Sequence, residues 1–560
     1  MQYDIMDRRS YLRTLGGASV LGVGSGVASA GGHGKVGERV VTESGPVEGV
    51  YDDGVFAYKG IPYAKQPVGD RRFRPPQTPA PSWDEPLDGS EWGPRAPQPL
   101  LLSEFSGIGG TRFVGREDGC LNLNVWTPRG TDEGEKPVMF WIHGGAYNFR
   151  SNRFPGQALA DFGDVVVVAT NYRLNALGFF AHPELTVAQP SAPTNFGYLD
   201  IRAALEWVQR NVAAFGGDPN DVTIFGESAG GHAVLTLMTD SDASGLFHRA
   251  ISESGLINAP LFPLAQLEQR GANASGKLDC SGADTLLCLR DATPLELAKA
   301  YGATSGLAGG QPPDGLPGVV APQLIFGVDG QVVEEHPAVR FANGQFHDAP
   351  LLLGSNADGY QFFVALPGSE APTSAAEYRA LIDQRYGQFA DRIGQYYPPE
   401  QYDSIEAAFV DLITHETFLC SDYRVGRNVT EHGGTAYRYV FDDTPTIPTT
   451  ALFVSDPGAY HTAELSYVWG DTVTQQGLPT GILGPSDYKL RYWVQSYWTN
   501  FAKRGDPNGR GWFAPPKWPA VDDQETRVRL QAHDVPVERG TEPGCEAFVD
   551  VYEYVHSQGY

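Results

Sequence analysis

The chain has 560 residues, 41% of them hydrophobic, including 28 Phe, 26 Tyr and 10 Trp. That is enough apolar surface for a large core and too much for a disordered protein. The formal net charge of −26 excludes nucleic acid as a partner, because phosphate binding needs a basic surface.

The first 30 residues read as a targeting segment. DRRSYLR, Asp7 to Arg13, resembles a twin-arginine export signal, and a Gly-rich apolar run follows it to a small-residue cleavage site at Ala28 to Ala30. That run is too short and too rich in Gly and Ser to span a membrane, and no other segment is a credible span. The expected product is an extracytoplasmic protein, with residues 31–560 as one domain and no stable membrane insertion once the signal is removed. Residues 1–30 contribute +1, so the remainder carries −27, and nine lysines stand against 32 arginines. This balance points to a salt-loving source, since at 1 M salt a Debye length of about 3 Å screens the self-repulsion of an acidic surface.

Val138 to Ile142 is a short run of buried-strand character that leads into His143-Gly144-Gly145-Ala146-Tyr147. Small residues directly after a strand let backbone N–H groups turn toward a bound oxyanion. Val222 to Phe225 is a second such strand, and Ala229 begins a helix. Between them, Gly226-Glu227-Ser228-Ala229-Gly230 forms a G-x-S-x-G turn. This arrangement exposes a serine hydroxyl on a tight elbow, and the helix aims its first N–H groups at developing negative charge. Pro350 to Leu353 is a third buried strand, followed by GSNADGYQFF, Gly354 to Phe363. Tyr437 to Phe441 is a fourth, and a long loop carries the chain from it to His461.

The sequence resembles the type-B carboxylesterase family over nearly the whole mature chain. The resemblance rests on FAYKGIPYAKQPVGDRRFRPPQ (Phe56 to Gln77), CLNLNVWTP (Cys120 to Pro128), NYRLNALGFF (Asn171 to Phe180), FGGDPNDVTIFGESAGG (Phe215 to Gly231) and YWTNFAKRGDPN (Tyr497 to Asn508). It implies an α/β-hydrolase fold, with a large, mostly parallel central sheet and helices on both faces. It also implies an esterase that needs no metal or cofactor and acts on small-molecule esters through an acyl-enzyme on Ser228. Gly145, Ala146 and Ala229 match the oxyanion-hole donors. His461 matches the catalytic base, because Glu464 and Tyr467-Val468-Trp469-Gly470 follow it in the family's pattern. Glu227 reads as a structural neighbour of the nucleophile.

The departure is at the triad acid. Where the family has Glu, an ungapped alignment places Gly359, and a one-residue deletion places Asp358. Asp358 is the nearest carboxylate in either alignment and is the expected acid, giving the chain order Ser228, Asp358, His461. Glu253, after the preceding strand, is the alternative. A site with no acid implies a weak esterase or a non-catalytic cholinesterase-like binding protein.

The resemblance also pairs Cys280 with Cys288 and Cys420 with Cys545, and leaves Cys120 free and buried. Asn273 and Asn428 lie in N-glycosylation triplets. The family's choline-binding Trp position is Gly110, and the loop from Pro97 to Asp118 has no Trp. This disfavours choline esters, which need an aromatic face, although Phe105 and Phe113 lie in the same loop. That loop is placed to cover the pocket as a lid.

Overall fold

The computed structural model describes residues 35–52, 54–100, 113–128, 135–302, 326–364, 371–448, 457–475 and 478–557. Chain contacts separate Met1–Lys35 from Val36–Tyr560. The expected signal and the loop positions Phe105 and Gly110 lie outside the described residues.

A large sheet organises the second unit. Its strands include β1 (Pro46–Asp52), β2 (Val55–Pro62), β3 (Asn122–Pro128), β4 (Lys136–Ile142), β5 (Val166–Thr170), β6 (Gly217–Glu227), β7 (Arg249–Glu253), β8 (Leu351–Asn356), β9 (Ala436–Phe441), β10 (Arg527–Leu530) and β11 (Val537–Glu538). Their spatial order is β1-β2-β3-β5-β4-β6-β7-β8-β9-β10-β11. Every neighbouring pair from β5 to β10 is parallel, whereas β1 to β3, the β3–β5 pair and the β10–β11 pair are antiparallel.

Residues of the central strands alternate between two hydrophobic cores, as a sheet with both faces covered requires. From β4, Val138, Phe140 and Ile142 enter one core, and Met139 and Trp141 the other. From β6, Val222 and Ile224 face the first core, and Phe225 the second. Helices cover the sheet: α1 (Gly156–Gly163), α2 (Phe196–Asn211), α3 (Ala229–Thr239), α4 (Cys420–Glu431), α5 (Tyr488–Arg504) and α6 (Cys545–Ser557). This is the α/β-hydrolase architecture that the sequence motifs imply.

Both expected disulfides form, and Cys120 is free and buried. Cys420–Cys545 ties the start of α4 to the start of α6. Burial pushes the Cys120 thiol's pKa well up, so it stays protonated and unreactive. Asn428 is buried within α4, which leaves no room for a glycan, while Asn273 is exposed. No helix of the described residues is long and apolar enough to cross a membrane.

The parallel register sets up the site. Glu227 at the end of β6 pairs with Glu253 of β7, and Glu253 with Gly354 of β8. The carboxyl ends of three adjacent strands thus stand in one row, where open α/β sheets place their ligand chemistry.

Candidate active site

Ser228 sits between β6 and α3 with φ 58° and ψ −122°. A non-glycine residue in such a conformation is strained, and the surrounding contacts enforce it. Its N–H donates to Glu253 O at 2.8 Å, and its own carbonyl accepts the His232 N–H at 2.8 Å. Glycines let the elbow pack closely. A Cβ on Gly230 would come within 2.0 Å of Ile142 O, so only glycine lets α3 start against the end of β4. A Cβ on Gly144 would lie 3.0 Å from Ser228 Cβ and 2.5 Å from Glu227 O, so the loop after β4 runs directly over Ser228.

That loop has three successive left-handed residues: Gly145 (φ 98°), Ala146 (φ 50°) and Tyr147 (φ 59°). Ala146 therefore adopts the conformation for which the family often uses glycine, at a cost of about 1–2 kcal/mol. The loop is held from both sides. Gly145 O accepts the Asn148 N–H at 2.8 Å, Tyr147 O accepts the Asn175 N–H at 2.7 Å, and Tyr172 OH donates to His143 O at 2.6 Å. Gly145 and Ala146, two of the expected oxyanion donors, lie on this loop, and Ala229, the third, is the first residue of α3.

His461 is buried in the long loop after β9. Its Nε2 lies 3.0 Å from Glu227 Oε1. The other Glu227 oxygen is ion-paired with Arg150, and Gln98 fixes the Arg150 backbone by accepting its N–H at 2.9 Å and donating to its carbonyl at 2.7 Å. Burial lowers the His461 pKa to about 4; the Glu227 charge opposes that shift and Arg150 adds to it. The imidazole is therefore neutral at pH 7, the state a general base needs.

The expected hydrogen bond from His461 Nδ1 to Asp358 does not form: Nδ1 has no hydrogen-bond partner among the described residues. Asp358 holds the histidine's loop instead of its ring. Its N–H donates to Ala459 O at 3.1 Å, and its Oδ2 accepts the Ala459 N–H at 2.9 Å, two residues before His461. Glu253 does not reach the ring either. Its Oε1 accepts the Trp498 Nε1–H at 2.7 Å, and its carboxyl is drawn toward α5.

Aromatic side chains pack against the imidazole, whose Nδ1 has no hydrogen-bond partner among the described residues. Phe418 stacks on the His461 ring with centroids 5.1 Å apart and planes 27° apart, and Phe363 lies at 5.3 Å. This accounts for Gly359. A Cβ there would meet Phe418 Cδ2 at 3.1 Å and Asn356 O at 3.3 Å, so a larger residue would press on the ring that covers the histidine. Phe418 lies in a π-helical turn, His415–Leu419, inserted before α4, a distortion that often marks functional positions. Asn356 completes the support: its Nδ2 donates to Tyr460 O at 2.6 Å and to Glu464 Oε2 at 2.5 Å. Glu464 is buried, and that burial, reinforced by the nearby Glu227 charge, raises its pKa to about 8.

Ser228, the Gly144-Gly145-Ala146 loop and His461 are thus buried around Glu227. The structure adds three contributors that the sequence does not reveal: Glu227 as the carboxylate at the ring, Arg150 as its counter-ion, and Phe418 as the ring's cover. No His, Cys, Asp and Glu grouping among the described residues is arranged to hold a metal.

Comparison with known proteins bears on the family and the fold. The profile of the carboxylesterase family matches residues 37–545. The chain is 35% identical over 480 residues to a fumonisin B1 esterase of Sphingopyxis macrogoltabida, covering 83% of this chain and 82% of that protein. It is 31% identical over 517 residues to the para-nitrobenzyl esterase of Bacillus subtilis, covering 90% and 96%. Among solved structures, the Geobacillus stearothermophilus carboxylesterase EST55 superposes with a TM-score of 0.75 at 32% identity, covering 92% of this chain and 99% of that one.

Proposed function

The chain belongs to the carboxylesterase family and is a carboxylic ester hydrolase; we propose that it works through an acyl-enzyme on Ser228. The observation that carries this reading is the strained Ser228 elbow lying directly beneath the Gly144-Gly145-Ala146 loop.

In this mechanism the Ser228 hydroxyl attacks the ester carbonyl. His461 Nε2 takes the serine proton, and the N–H groups of Gly145, Ala146 and Ala229 stabilise the oxyanion. Collapse of the tetrahedral intermediate expels the alcohol, which receives its proton from Nε2. Water attacks the acyl-enzyme with the same nitrogen as base, and the carboxylic acid leaves.

Glu227 supplies the charge that a triad acid supplies elsewhere. As Nε2 gains its proton, the new N–H lies beside Glu227 Oε1, and the carboxylate stabilises the imidazolium. Phe418 and Phe363 set the ring's orientation, which in other triads is the work of a hydrogen bond to Nδ1. Asp358 positions the loop through Ala459.

The proposed substrates are small-molecule esters, with choline esters poor because the loop from Pro97 to Asp118 offers no Trp. Export through the N-terminal signal is part of the same proposal, and two disulfides suit an oxidising compartment. With p-nitrophenyl acetate, the reading predicts a burst of one p-nitrophenol per enzyme molecule when deacylation is the slower step. Ser228→Ala abolishes both burst and turnover. Turnover by that variant at the wild-type rate would refute an acyl-enzyme on Ser228.

A further inference from the structure

The segment from Tyr488 to Trp518 reverses the charge of the rest of the molecule. In a chain of net −26 it holds Lys489, Arg491, Lys503, Arg504, Arg510 and Lys517 against the single acid Asp506. Three of the nine lysines fall in these 31 residues. Lys489, Arg504, Arg510 and Lys517 are exposed.

The same segment bears the most exposed aromatic side chains of the described residues. Trp512 is 101% exposed and Phe513 72%. Beside them are Tyr492, whose hydroxyl donates to Phe513 O at 3.1 Å, and Phe162 of α1, edge-on to Tyr492 at 5.6 Å. Asp161 and Asp164 flank Phe162 in the sequence, whereas Arg510 and Lys517 flank Trp512 and Phe513.

The loop is built to hold this tip outward. At its base, Asn508 Nδ2 donates to Trp518 O at 2.8 Å, and the Trp518 N–H donates back to Asn508 Oδ1 at 2.7 Å. Trp518 is itself fully buried. Tyr497 OH pins Pro516 O at 2.7 Å. Between these ties, Arg510-Gly511-Trp512-Phe513 stands clear of the core with its two largest apolar side chains in water.

We propose that the Trp512-Phe513 tip is a peripheral docking element for an anionic lipid bilayer surface. Indole and phenyl rings settle at the headgroup level, and Arg and Lys beside them meet lipid phosphate. The charge reversal selects an anionic surface over a neutral one. The acidic remainder of the molecule does not oppose docking beyond the Debye length, about 8 Å at 0.15 M salt and about 3 Å at 1 M. A narrow tip with two aromatic residues and flanking cations suits shallow seating in a soft interface. The docking anchors the enzyme to a surface without a spanning segment.

The test is co-sedimentation of the full chain with vesicles, at salt concentrations where its esterase activity persists. Dioleoylphosphatidylglycerol vesicles should pellet the protein at least tenfold more effectively than dioleoylphosphatidylcholine vesicles. Trp512→Ser/Phe513→Ser should lower the bound fraction at least tenfold with p-nitrophenyl acetate turnover unchanged. Arg510→Ser/Lys517→Ser should weaken binding to the anionic vesicles alone. Absence of binding by the wild type, or equal binding by wild type and the aromatic double variant, overturns the proposal. So does a wild-type dimer in size-exclusion chromatography that the aromatic double variant dissolves, because the tip would then be an interface between copies.

Discussion

His461 Nε2 lies 3.0 Å from Glu227 Oε1, while Nδ1 of the same ring has no hydrogen-bond partner among the described residues. The carboxylate nearest Nε2 therefore belongs to the residue beside Ser228, and Phe418 and Phe363 pack against the same ring. The distinction separates three carboxylates by mutation. Glu227→Gln should lower kcat/KM on a short p-nitrophenyl ester by between about 10²- and 10⁴-fold, the range lost when an imidazolium loses its charge partner. Asp358→Asn should lower it less than about tenfold, because an amide oxygen still accepts the Ala459 N–H. Glu253→Gln should behave like Asp358→Asn, since its carboxyl serves Trp498. A collapse in Asp358→Asn with Glu227→Gln spared would restore Asp358 as the acid.

The acid limb of the pH–rate profile follows from the burial of His461. Its pKa of about 4 lies below the ordinary 6.5, so kcat/KM should hold nearly constant from pH 7 to about pH 5 and fall only near pH 4. Glu227→Gln removes a charge that raises this pKa, so in that variant the residual limb moves to still lower pH. An acid limb centred near pH 6.5 in the wild type would show a ring that is solvated or otherwise placed.

Stability should peak near pH 6.5. His143 and His232, with pKa values lowered to about 3, and His336 and His461, to about 4, are buried neutral. Below pH 6.5 the unfolded chain binds these protons and the folded chain does not, so stability falls as pH falls from 6.5 toward 4. Glu464 and Asp422 act in the opposite direction: burial raises both to about 8. The folded chain keeps their protons where the unfolded chain has lost them, so stability falls as pH rises toward 8. Each such group contributes about 1.4 kcal/mol per pH unit. Glu464→Gln, a neutral mimic of the protonated acid, should remove about that slope between pH 6.5 and 8 in urea denaturation.

Cys420–Cys545 closes a loop of 125 residues. Removing it as Cys420→Ala/Cys545→Ala should cost about 3–5 kcal/mol and lower the denaturation midpoint. The loss of Cys280–Cys288, which spans 8 residues, should cost less, on the order of 2 kcal/mol.

The elements that place Ser228 were legible because their signals are local. Val138 to Ile142 and Val222 to Phe225 are β-branched and aromatic runs that lead into glycine-containing turns, and both are strands, each extended by a few residues in the structure. Ser228 and His461 follow from short motifs in the same way. The relationships around the imidazole were not legible, because each joins segments far apart in the chain. Phe418 reaches His461 from a π-helical turn 43 residues away, and no periodicity predicts such an insertion. Glu227 sits one residue from Ser228, yet its side chain meets an arginine and a histidine from other loops. Gly359 looked like a lost acid in the sequence, but in three dimensions it is the clearance for Phe418. A side-chain signal did exist for the exposed tip, where Trp512 and Phe513 follow Arg510 in a Gly-rich stretch, but composition alone does not say that they face water.

The central claim is that Ser228 is the nucleophile of a working esterase. Labelling the folded protein with a fluorophosphonate probe and mapping the adduct by peptide mass spectrometry tests it most directly. The predicted result is one probe per molecule on the peptide containing Ser228, with loss of esterase activity in proportion to labelling and no adduct in Ser228→Ala. An unlabelled Ser228 in a folded, ester-hydrolysing sample, or full activity in the fully labelled protein, would contradict it.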